Sequence, residues 1–275
     1  MSRPFLKMNG LGNDFVVVEA RSAPFRPTEA EVRAIADREG GIGCDQVIAI
    51  EPSDTADVFM RIWNSDGGEV EACGNAARCV GWLVGQAGGK GEVSIDTLGG
   101  VLAAEPLADG RVRVDMGEPG LGWQDIPLAE DMDTRGIELQ VGPIDDPVLH
   151  TPGCVSMGNP HVVFFVADAE TAPVVQVGSM IEHHRLFPER ANVGFCQVKA
   201  PGRLRVRVWE RGVGETAACG TGACAALVAA HRRGLVGREA TVEMNGGELQ
   251  IEWRESDGHV LMTGPVELEF TGSLP

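Results

Sequence analysis

The sequence predicts an α+β fold made of two homologous halves, and three patterns indicate it. Short β-branched or alternating runs are spread along the whole chain and are typical of strands. Two segments rich in alanine and other small apolar residues, 74–84 and 220–232, are typical of buried helices. The surroundings of these two helices repeat at an offset of 146 residues, which indicates that one unit has been duplicated.

The elements follow one another as strands, with few helices. The predicted strands share β-branched or alternating apolar residues and are 15–18, 58–63, 111–114, 161–166 and 204–209. The segment 28–38 predicts an amphipathic helix, because Thr28 can cap it and Glu31 stands three residues further on, as in a capping box. The stretch 117–147, with several Pro, Gly and Asp residues, is the best candidate for a domain junction.

The repeat is most exact around two cysteines. Residues 63–75 align without gaps on 209–221, and Trp, Gly, Glu, Ala, Cys and Gly match between them. The same offset places Asn13 on Asn159 and Gln46 on Asn192. A chance pair of cysteines would not bring these other residues into register, so each half is predicted to supply one cysteine.

Composition excludes several kinds of protein. The 275 residues, 43% of them apolar, allow one large domain or two of about 130 residues. No apolar run spans a membrane and the N-terminus lacks a signal-peptide core, so we expect a cytoplasmic protein whose seven cysteines are free thiols. The net charge of −17 argues against a nucleic-acid partner. With three lysines and no tyrosine, few residues could carry pyridoxal phosphate and none could serve as a tyrosine acid.

Cys73 and Cys219 each precede a predicted buried helix. A cysteine at a helix N-terminus faces the positive end of the helix dipole, which lowers the thiol pKa. The free N–H groups of the same turn, at 74–75 and 220–221, would hold a carboxylate. Two such units facing one another would place a carboxylate between two sulfurs, and this arrangement suits removal of a proton from one face of a carbon and its return to the other.

Other roles for the cysteines are weighed against this one. A cysteine before a helix is more often a core residue, and we assign that role to Cys44, Cys79, Cys154, Cys196 and Cys224. For Cys73 and Cys219 the duplicated setting favours chemistry. Metal binding fits poorly, because neither cysteine has a partner at the usual ligand spacing, and a dithiol redox role lacks the C-x-x-C pattern.

Polar residues near the cysteines are candidates for substrate contacts. His161 is either a loop histidine or a neighbour that tunes a thiol, and Glu210 would raise a thiol pKa if it lay beside one. Arg211, in the turn that leads to Cys219, suits carboxylate binding. The paired amides at 13, 46, 64, 159 and 192 would ordinarily be turn residues, but their register in the repeat favours substrate contacts.

Six segments closely resemble the diaminopimelate epimerase family. Two of them carry the cysteines and are NSDGGEVEACGNAAR at 64–78 and ERGVGETAACGTGA at 210–223. The others are NGLGNDF at 9–15, GIGCDQ at 41–46, GNPH at 158–161 and MTGP at 262–265. The similarity runs nearly from end to end. Gly68 departs from the usual Ser or Thr, and Phe270 stands where the family commonly has Tyr.

The resemblance implies two pseudo-symmetric mirror domains, each a barrel-like, mostly antiparallel sheet around a central helix. Residues 1–118 would form the half with Cys73, joined by 264–275, and residues 119–263 the half with Cys219, with the site in the cleft between them. It also implies a homodimer, in which Phe270 marks a contact.

The resemblance further implies interconversion of LL- and meso-2,6-diaminopimelate, in lysine and cell-wall precursor biosynthesis, without pyridoxal phosphate, other cofactor or metal. Cys73 and Cys219 would be the acid and base. The first-turn residues that bind the reacting carboxylate would be Gly74, Asn75, Gly220 and Thr221. The residues that hold the rest of the substrate would be Asn13, Gln46, Asn64, Asn159, Asn192, Glu210 and Arg211, and His161 and Glu210 would adjust the thiols.

Two alternatives remain open. A proline racemase-type enzyme would share the two cysteines and the fold, but Arg211 and the amides favour a substrate with a second polar end. A non-catalytic binding protein for dicarboxylic amino acids would need neither sulfur.

Overall fold

The structure is a computed structural model that describes residues 2–71 and 73–274, and the chain divides into two compact units. The first unit is Met1–Asp115 together with Thr263–Pro275, and the second is Met116–Met262. Strands dominate both, and within each unit most neighbouring strands are antiparallel. The predicted α+β class is confirmed.

The first unit contains the strands and helices of the N-terminal half and one strand from the C-terminal end. They are β1 (Arg3–Asn9), β2 (Asp14–Glu19), α1 (Glu29–Ala36), β3 (Gln46–Glu51), β4 (Val58–Asn64), β5 (Glu69–Val70), α2 (Gly74–Gly88), β6 (Val93–Thr97), β7 (Gly100–Pro106), β8 (Val112–Asp115) and, after the second unit, β19 (Glu267–Leu274). Strand β19 pairs with β1 in antiparallel fashion.

The second unit begins with turns and a small hairpin before its own set of elements. They are β9 (Gln140–Val141), β10 (Leu149–His150), β11 (Gly153–Ser156), β12 (Pro160–Phe165), α3 (Val174–Glu182), β13 (Asn192–Ala200), β14 (Arg203–Glu210), β15 (Gly214–Thr216), α4 (Gly220–Arg232), β16 (Glu239–Met244), β17 (Gly247–Trp253) and β18 (Val260–Gly264).

The two units repeat one topology. In the first, β1 pairs with β2 antiparallel, β2 with β3 parallel, β3 with β4 antiparallel and β4 with β6 parallel. In the second, the pairs β11–β12, β12–β13, β13–β14 and β14–β16 follow the same order of directions. In each unit, the two strands of every parallel pair are joined by a connection that contains a helix, as parallel strands require. The repeat seen around the cysteines therefore extends to the strand pairing of β1 to β6 and of β11 to β16.

The helices begin where the sequence indicates. Thr28 caps α1 with a complete capping box, since Glu31 N donates to Thr28 Oγ1 and Thr28 N donates to the Glu31 carboxylate. Helix α2 begins at Gly74 as predicted but continues to Gly88, and α4 spans the predicted residues 220–232. Helix α1 ends at Ala36, two residues before the predicted end.

Helices α2 and α4 are the buried helices of their units. Helix α4 packs against β11, β12, β13, β14, β16 and β17, and α2 packs against β6, β7 and β8. Small residues permit this close packing. A Cβ atom added to Gly81 would lie 2.4 Å from the Ala104 Cβ of β7, closer than atoms can approach. The separation of α2 from its sheet is therefore set by glycine.

We expect Gly81→Ala to destabilise the chain by about 1–3 kcal/mol, because the added methyl group overpacks the contact between α2 and β7. Gly88→Ala is the matched control in the same helix, since its added Cβ would meet only the flexible Lys90 Cγ at 3.7 Å. There the substitution should be neutral or stabilise by up to about 1 kcal/mol. Urea unfolding of both variants measures the difference, and equal midpoints would refute the close-packing account.

Candidate active site

Cys73 and Cys219 occupy the same place in their respective units. Each is the N-cap residue of the buried helix, with extended backbone at φ −147° and −129°. The carbonyl of each already accepts the first intrahelical bond, from Ala77 N and Ala223 N, both at 2.9 Å. Each sulfur therefore lies at the positive end of a helix dipole, as the sequence predicted.

Asn13 faces Cys73, and its amide is oriented by a carboxylate. Asn13 Nδ2 donates to Asp45 Oδ2 at 2.7 Å, which leaves Asn13 Oδ1 directed to Cys73 Sγ, 3.9 Å away. Asp45 is held by Arg38, which also binds Asp14. The sequence did not identify Asp45 as a supporting residue, although it lies in the glycine-rich motif at 41–46.

The Asp14 carboxylate completes this charged network beneath Asn13. Burial alone would raise the pKa of Asp14, but hydrogen bonds from Arg38 and Lys7 outweigh burial and hold the pKa well below its ordinary value. Lys7 is itself buried and also donates to Gly43 O at 2.8 Å. The loop that carries Asn13 is thus anchored by paired buried charges.

Gln46 and Asn64 form a second pair in the first unit. They lie opposite each other in the register of β3 and β4, and Gln46 Nε2 donates to Asn64 Oδ1 at 2.9 Å. Gln46 Oε1 is buried and has no hydrogen-bond partner among the residues at 2–71 and 73–274. A buried acceptor without a partner is costly, and a bound donor would satisfy it.

Asn75 and Arg78 are buried together in the first turn of α2. Arg78 is fully buried, and its Nη1 donates to Asn75 Oδ1 at 3.0 Å. The Asn75 side chain is therefore engaged by its own helix. The contribution of Asn75 to ligand binding would come from its backbone N–H. Sequence reasoning did not assign a role to Arg78, and the signal that could have identified it is an arginine within a helix of small apolar residues.

In the second unit a chain of polar contacts runs from Cys219 to His161. Cys219 Sγ lies 3.6 Å from Thr221 Oγ1, Asn159 Nδ2 donates to Thr221 Oγ1 at 3.4 Å, and His161 Nε2 lies 2.9 Å from Asn159 Oδ1. Since that oxygen can only accept, His161 Nε2 is the donor in this arrangement. His161 reaches the sulfur through two other side chains.

The imidazole of His161 is neutral. Its pKa is lowered to about 3, first because the ring is buried and second because Arg211 is positively charged. The histidine thus orients Asn159 as a hydrogen-bond donor and adds no charge near the sulfur at neutral pH.

Glu210 affects the thiol of Cys219 directly. Burial raises the pKa of Cys219 well above its ordinary value, and the negative charge of Glu210 raises it further. The hydroxyl of Thr221 and the Gly222 N–H act in the opposite direction but do not compensate. Thr216 Oγ1 donates to Glu210 Oε1 and holds the carboxylate. Cys219 is therefore a thiol when no ligand is bound, and the expectation that the helix N-terminus lowers its pKa is wrong, because burial and Glu210 outweigh the helix dipole.

Asn192 supports the turn that carries Arg211. Asn192 Oδ1 accepts from Arg211 N at 2.9 Å and Asn192 Nδ2 donates to Pro160 O at 3.0 Å, so both ends of the amide have backbone partners. The exposed Arg211 side chain donates from Nη1 to Glu189 O at 3.0 Å. The position of Asn192 suits holding Arg211 in place.

The cysteines assigned to the core are buried and unlike the two N-cap residues. Burial raises the pKa of Cys44 to about 11 and those of Cys79 and Cys196 to about 12, and it raises that of Cys154 as well. Cys224 is also buried. Across residues 2–71 and 73–274 no three His, Cys, Asp or Glu side chains are grouped as metal ligands. The helices in the described part of the chain are too short or too polar to cross a membrane.

The family model of diaminopimelate epimerase matches residues 5–121 and 153–269 of the chain. A diaminopimelate epimerase of Phenylobacterium zucineum is 63% identical over 275 residues, covering 100% of this chain and 99% of the relative. One from Caulobacter sp. strain K31 is 62% identical over 284 residues, with coverage of 100% and 98%.

Solved structures with low sequence identity share the fold. A Bacillus anthracis phenazine biosynthesis protein of the PhzF family superposes with a TM-score of 0.70 at 16% identity, covering 100% of this chain and 99% of its own. A hydroxyproline epimerase of Agrobacterium vitis superposes with a TM-score of 0.69 at 16% identity, with coverage of 99% and 92%.

Acidification tests the neutral state of His161. Because the pKa lies near 3 in the folded chain and near 6.5 in the unfolded chain, the unfolded chain binds the extra proton between these values. The free energy of unfolding should be unaffected well above pH 6.5 and should decrease as the pH falls towards 3, by up to about 1.4 kcal/mol per pH unit from this group.

We expect His161→Gln to flatten this pH dependence, and His150→Gln, at an exposed position, to leave it unchanged. Urea unfolding between about pH 4 and pH 7 measures the slope. If His161→Gln left the slope as in the wild type, the buried histidine would not be the neutral group described.

Proposed function

The chain belongs to the diaminopimelate epimerase family, and we propose that it interconverts LL- and meso-2,6-diaminopimelate with Cys73 and Cys219 as base and acid. The observation that carries the assignment of the two residues is the duplicated N-cap cysteine, at the start of α2 and of α4. This reaction belongs to lysine and cell-wall precursor biosynthesis.

The proposed chemistry is a two-base proton transfer. The thiolate of one cysteine removes the proton from the α-carbon, and the electron pair left behind is delocalised into the adjacent carboxylate. First-turn N–H groups at Gly74 and Asn75, and at Gly220 and Thr221, are suited to stabilise the growing charge on the carboxylate oxygens. The thiol of the other cysteine then gives its proton to the opposite face. The product has the inverted configuration, and thiol and thiolate have exchanged places.

The charges around the two sulfurs differ. Burial and Glu210 keep Cys219 protonated, which suits it to act as the acid in one direction of the reaction. In the first unit the position of Glu210 is taken by the neutral Asn64, which removes one source of repulsion for a thiolate at Cys73. The two titrations are coupled during turnover, so apparent pKa values belong to the pair.

The far end of the substrate would be recognised by polar side chains. Gln46 Oε1, a buried acceptor without a protein partner among the described residues, suits an ammonium group. Asn13, Asn64 and Asn159 add amide donors and acceptors. Arg211 suits the distal carboxylate, with Glu210 beside it, and this pair of opposite charges matches a zwitterionic amino-acid end better than an apolar ring.

The proposed mechanism uses no pyridoxal phosphate, and the lysines support this. Lys7 is buried against Asp14 and Gly43 O, Lys90 pairs with Asp57, and Lys199 pairs with Glu243. Each ammonium group is thus paired with a carboxylate, and a lysine that held the cofactor in a Schiff base would have to give up this pairing.

A homodimer is part of the proposal, with β19 at the contact. Phe270 lies on β19, is 48% exposed and packs edge-to-face on Phe5 at 6.1 Å. Leu268 on the same strand is 40% exposed. Exposed apolar residues on a strand of this kind favour association with a second copy.

The proposal also includes the domain boundaries and the cellular compartment. The two compact units would be the homologous domains, divided near residues 115 and 263, since β19 returns to pair with β1. The cytoplasm would be the compartment, because a mechanism with two reactive thiols requires that they stay reduced.

Cysteine variants test the proposed chemistry. In D2O the wild type should place deuterium on the α-carbon of diaminopimelate with inversion and without added cofactor. Cys73→Ala and Cys219→Ala should each lower the rate by about 100- to 10,000-fold, because each removes one proton carrier. Cys196→Ala, at a buried core position in β13, should stay close to the wild type. NMR measures the deuterium at the α-carbon, and chiral chromatography measures the inversion and its rate.

The same assay should include proline and hydroxyproline as substrates. Turnover of these in place of diaminopimelate would overturn the substrate assignment and favour a proline racemase-type enzyme. Losses of less than about tenfold in both cysteine variants would overturn the two-thiol mechanism.

Light scattering after size exclusion tests the dimer. The wild type should elute as a dimer, and Phe270→Glu should raise the dimer dissociation constant at least about tenfold, because it places a charge in the apolar contact. Leu235→Glu changes a residue of similar exposure after α4 and should leave the dimer intact. A monomeric wild type, or an unaffected Phe270→Glu dimer, would contradict the proposed contact.

A further inference from the structure

Glu182 is a buried carboxylate that the proposed chemistry does not use. It is the last residue of α3 and is 2% exposed. A buried carboxylate is costly unless donors surround it. Its two oxygens are used separately: Oε2 accepts from Trp209 Nε1 at 2.8 Å and Oε1 accepts from Gly212 N at 3.0 Å.

The two donors flank the two charged residues of the site. Trp209 and Gly212 stand immediately before Glu210 and after Arg211, so one carboxylate fastens both ends of this turn. Between them, Arg211 N donates to Asn192 Oδ1 at 2.9 Å. The turn that carries Glu210 and Arg211 is therefore held through the indole of Trp209 and through the backbone N–H groups of Arg211 and Gly212.

Helix α3 is shaped to receive Trp209 at this point. A Cβ atom on Gly178, one turn before Glu182, would lie 2.5 Å from Trp209 Cγ. The absence of a side chain at Gly178 lets the indole lie against the helix, and its N–H then reaches the carboxylate of Glu182. Packing and hydrogen bonding thus fix the same side chain.

The first unit lacks the carboxylate that holds the turn in the second unit. Helices α1 and α3 are equivalent in the repeat, and the offset of 146 residues places Ala36 at the position of Glu182. The corresponding turn there carries Asn64 and Ser65, which are neutral. At this helix position a carboxylate occurs in the unit whose turn presents a charged pair and is replaced by an alanine in the other unit.

We propose that Glu182 is a positioning residue that sets the geometry of Glu210 and Arg211 and thereby the selectivity for a substrate with a second, zwitterionic amino-acid end. The inference rests on the proposed function for its substrate. The effect of Glu182 on the position of Glu210 and Arg211 involves residues of the second unit alone. Glutamine is the informative substitution, because its NH2 group would face a donor at one of the two contacts.

The first readout is kinetic. With LL-diaminopimelate, Glu182→Gln should raise KM about tenfold while kcat falls much less, since loss of one hydrogen bond to a charged group corresponds to roughly that factor. Trp209→Phe keeps the carboxylate but removes the indole donor, and it should shift KM in the same direction. Glu130→Gln, an exposed acid of the same unit, should match the wild type. A merely stabilising residue would lower the active fraction, and hence kcat, without a change in KM.

The second readout does not depend on turnover. Amide hydrogen exchange of residues 210–213 should accelerate in Glu182→Gln and in Trp209→Phe, whereas exchange at the start of α2 should not. Unchanged exchange and unchanged KM in both variants would overturn the proposal. If the wild type failed to epimerise diaminopimelate, the proposed function would be wrong, and the exchange data would still decide whether Glu182 holds the turn.

Discussion

Helices α2 and α4 are held against their sheets by contacts that only small residues permit, and this packing determines where their first turns lie. Gly81 lets α2 approach Ala104, and in α4 a Cβ atom added to Gly222 would lie 3.0 Å from Val208 Cγ2 of β14. With each helix fixed in this way, its N-terminal N–H groups and its N-cap sulfur have a defined position. The chemistry proposed for the chain depends on that position, because a carboxylate is stabilised only by donors that are already oriented.

The repeat supplies the same backbone twice, whereas the charges differ between the copies. Glu210 raises the pKa of Cys219, and its counterpart Asn64 carries no charge. Arg78 is a buried cation whose counterpart in the second unit is the buried thiol of Cys224. A reaction that needs one thiol and one thiolate requires such a difference, since two identical settings would favour the same protonation state at both sulfurs.

Several amides of the site are positioned by other side chains. Asp45 turns the oxygen of Asn13 towards Cys73, whereas neutral His161 turns the nitrogen of Asn159 towards Thr221. Equivalent asparagines thus present an acceptor in one unit and a donor in the other. The supporting residues lie outside the cysteine motifs, and a preorganised site depends on them because they prevent the amides from rotating.

Local patterns in the amino-acid sequence suffice to predict the α+β class, the duplication and the two N-cap cysteines, because strand periodicity, small-residue helices and a gapless repeat are all visible along the chain. The ends of α1 and α2 were less accurately predicted, since tertiary packing decides where a helix stops. Only the tertiary structure showed Glu182 beneath the turn of Arg211, and Arg78 against Asn75. A buried charge is recognised by its partners, and Glu182 meets Trp209 across 27 residues of chain, a pairing that no local pattern records.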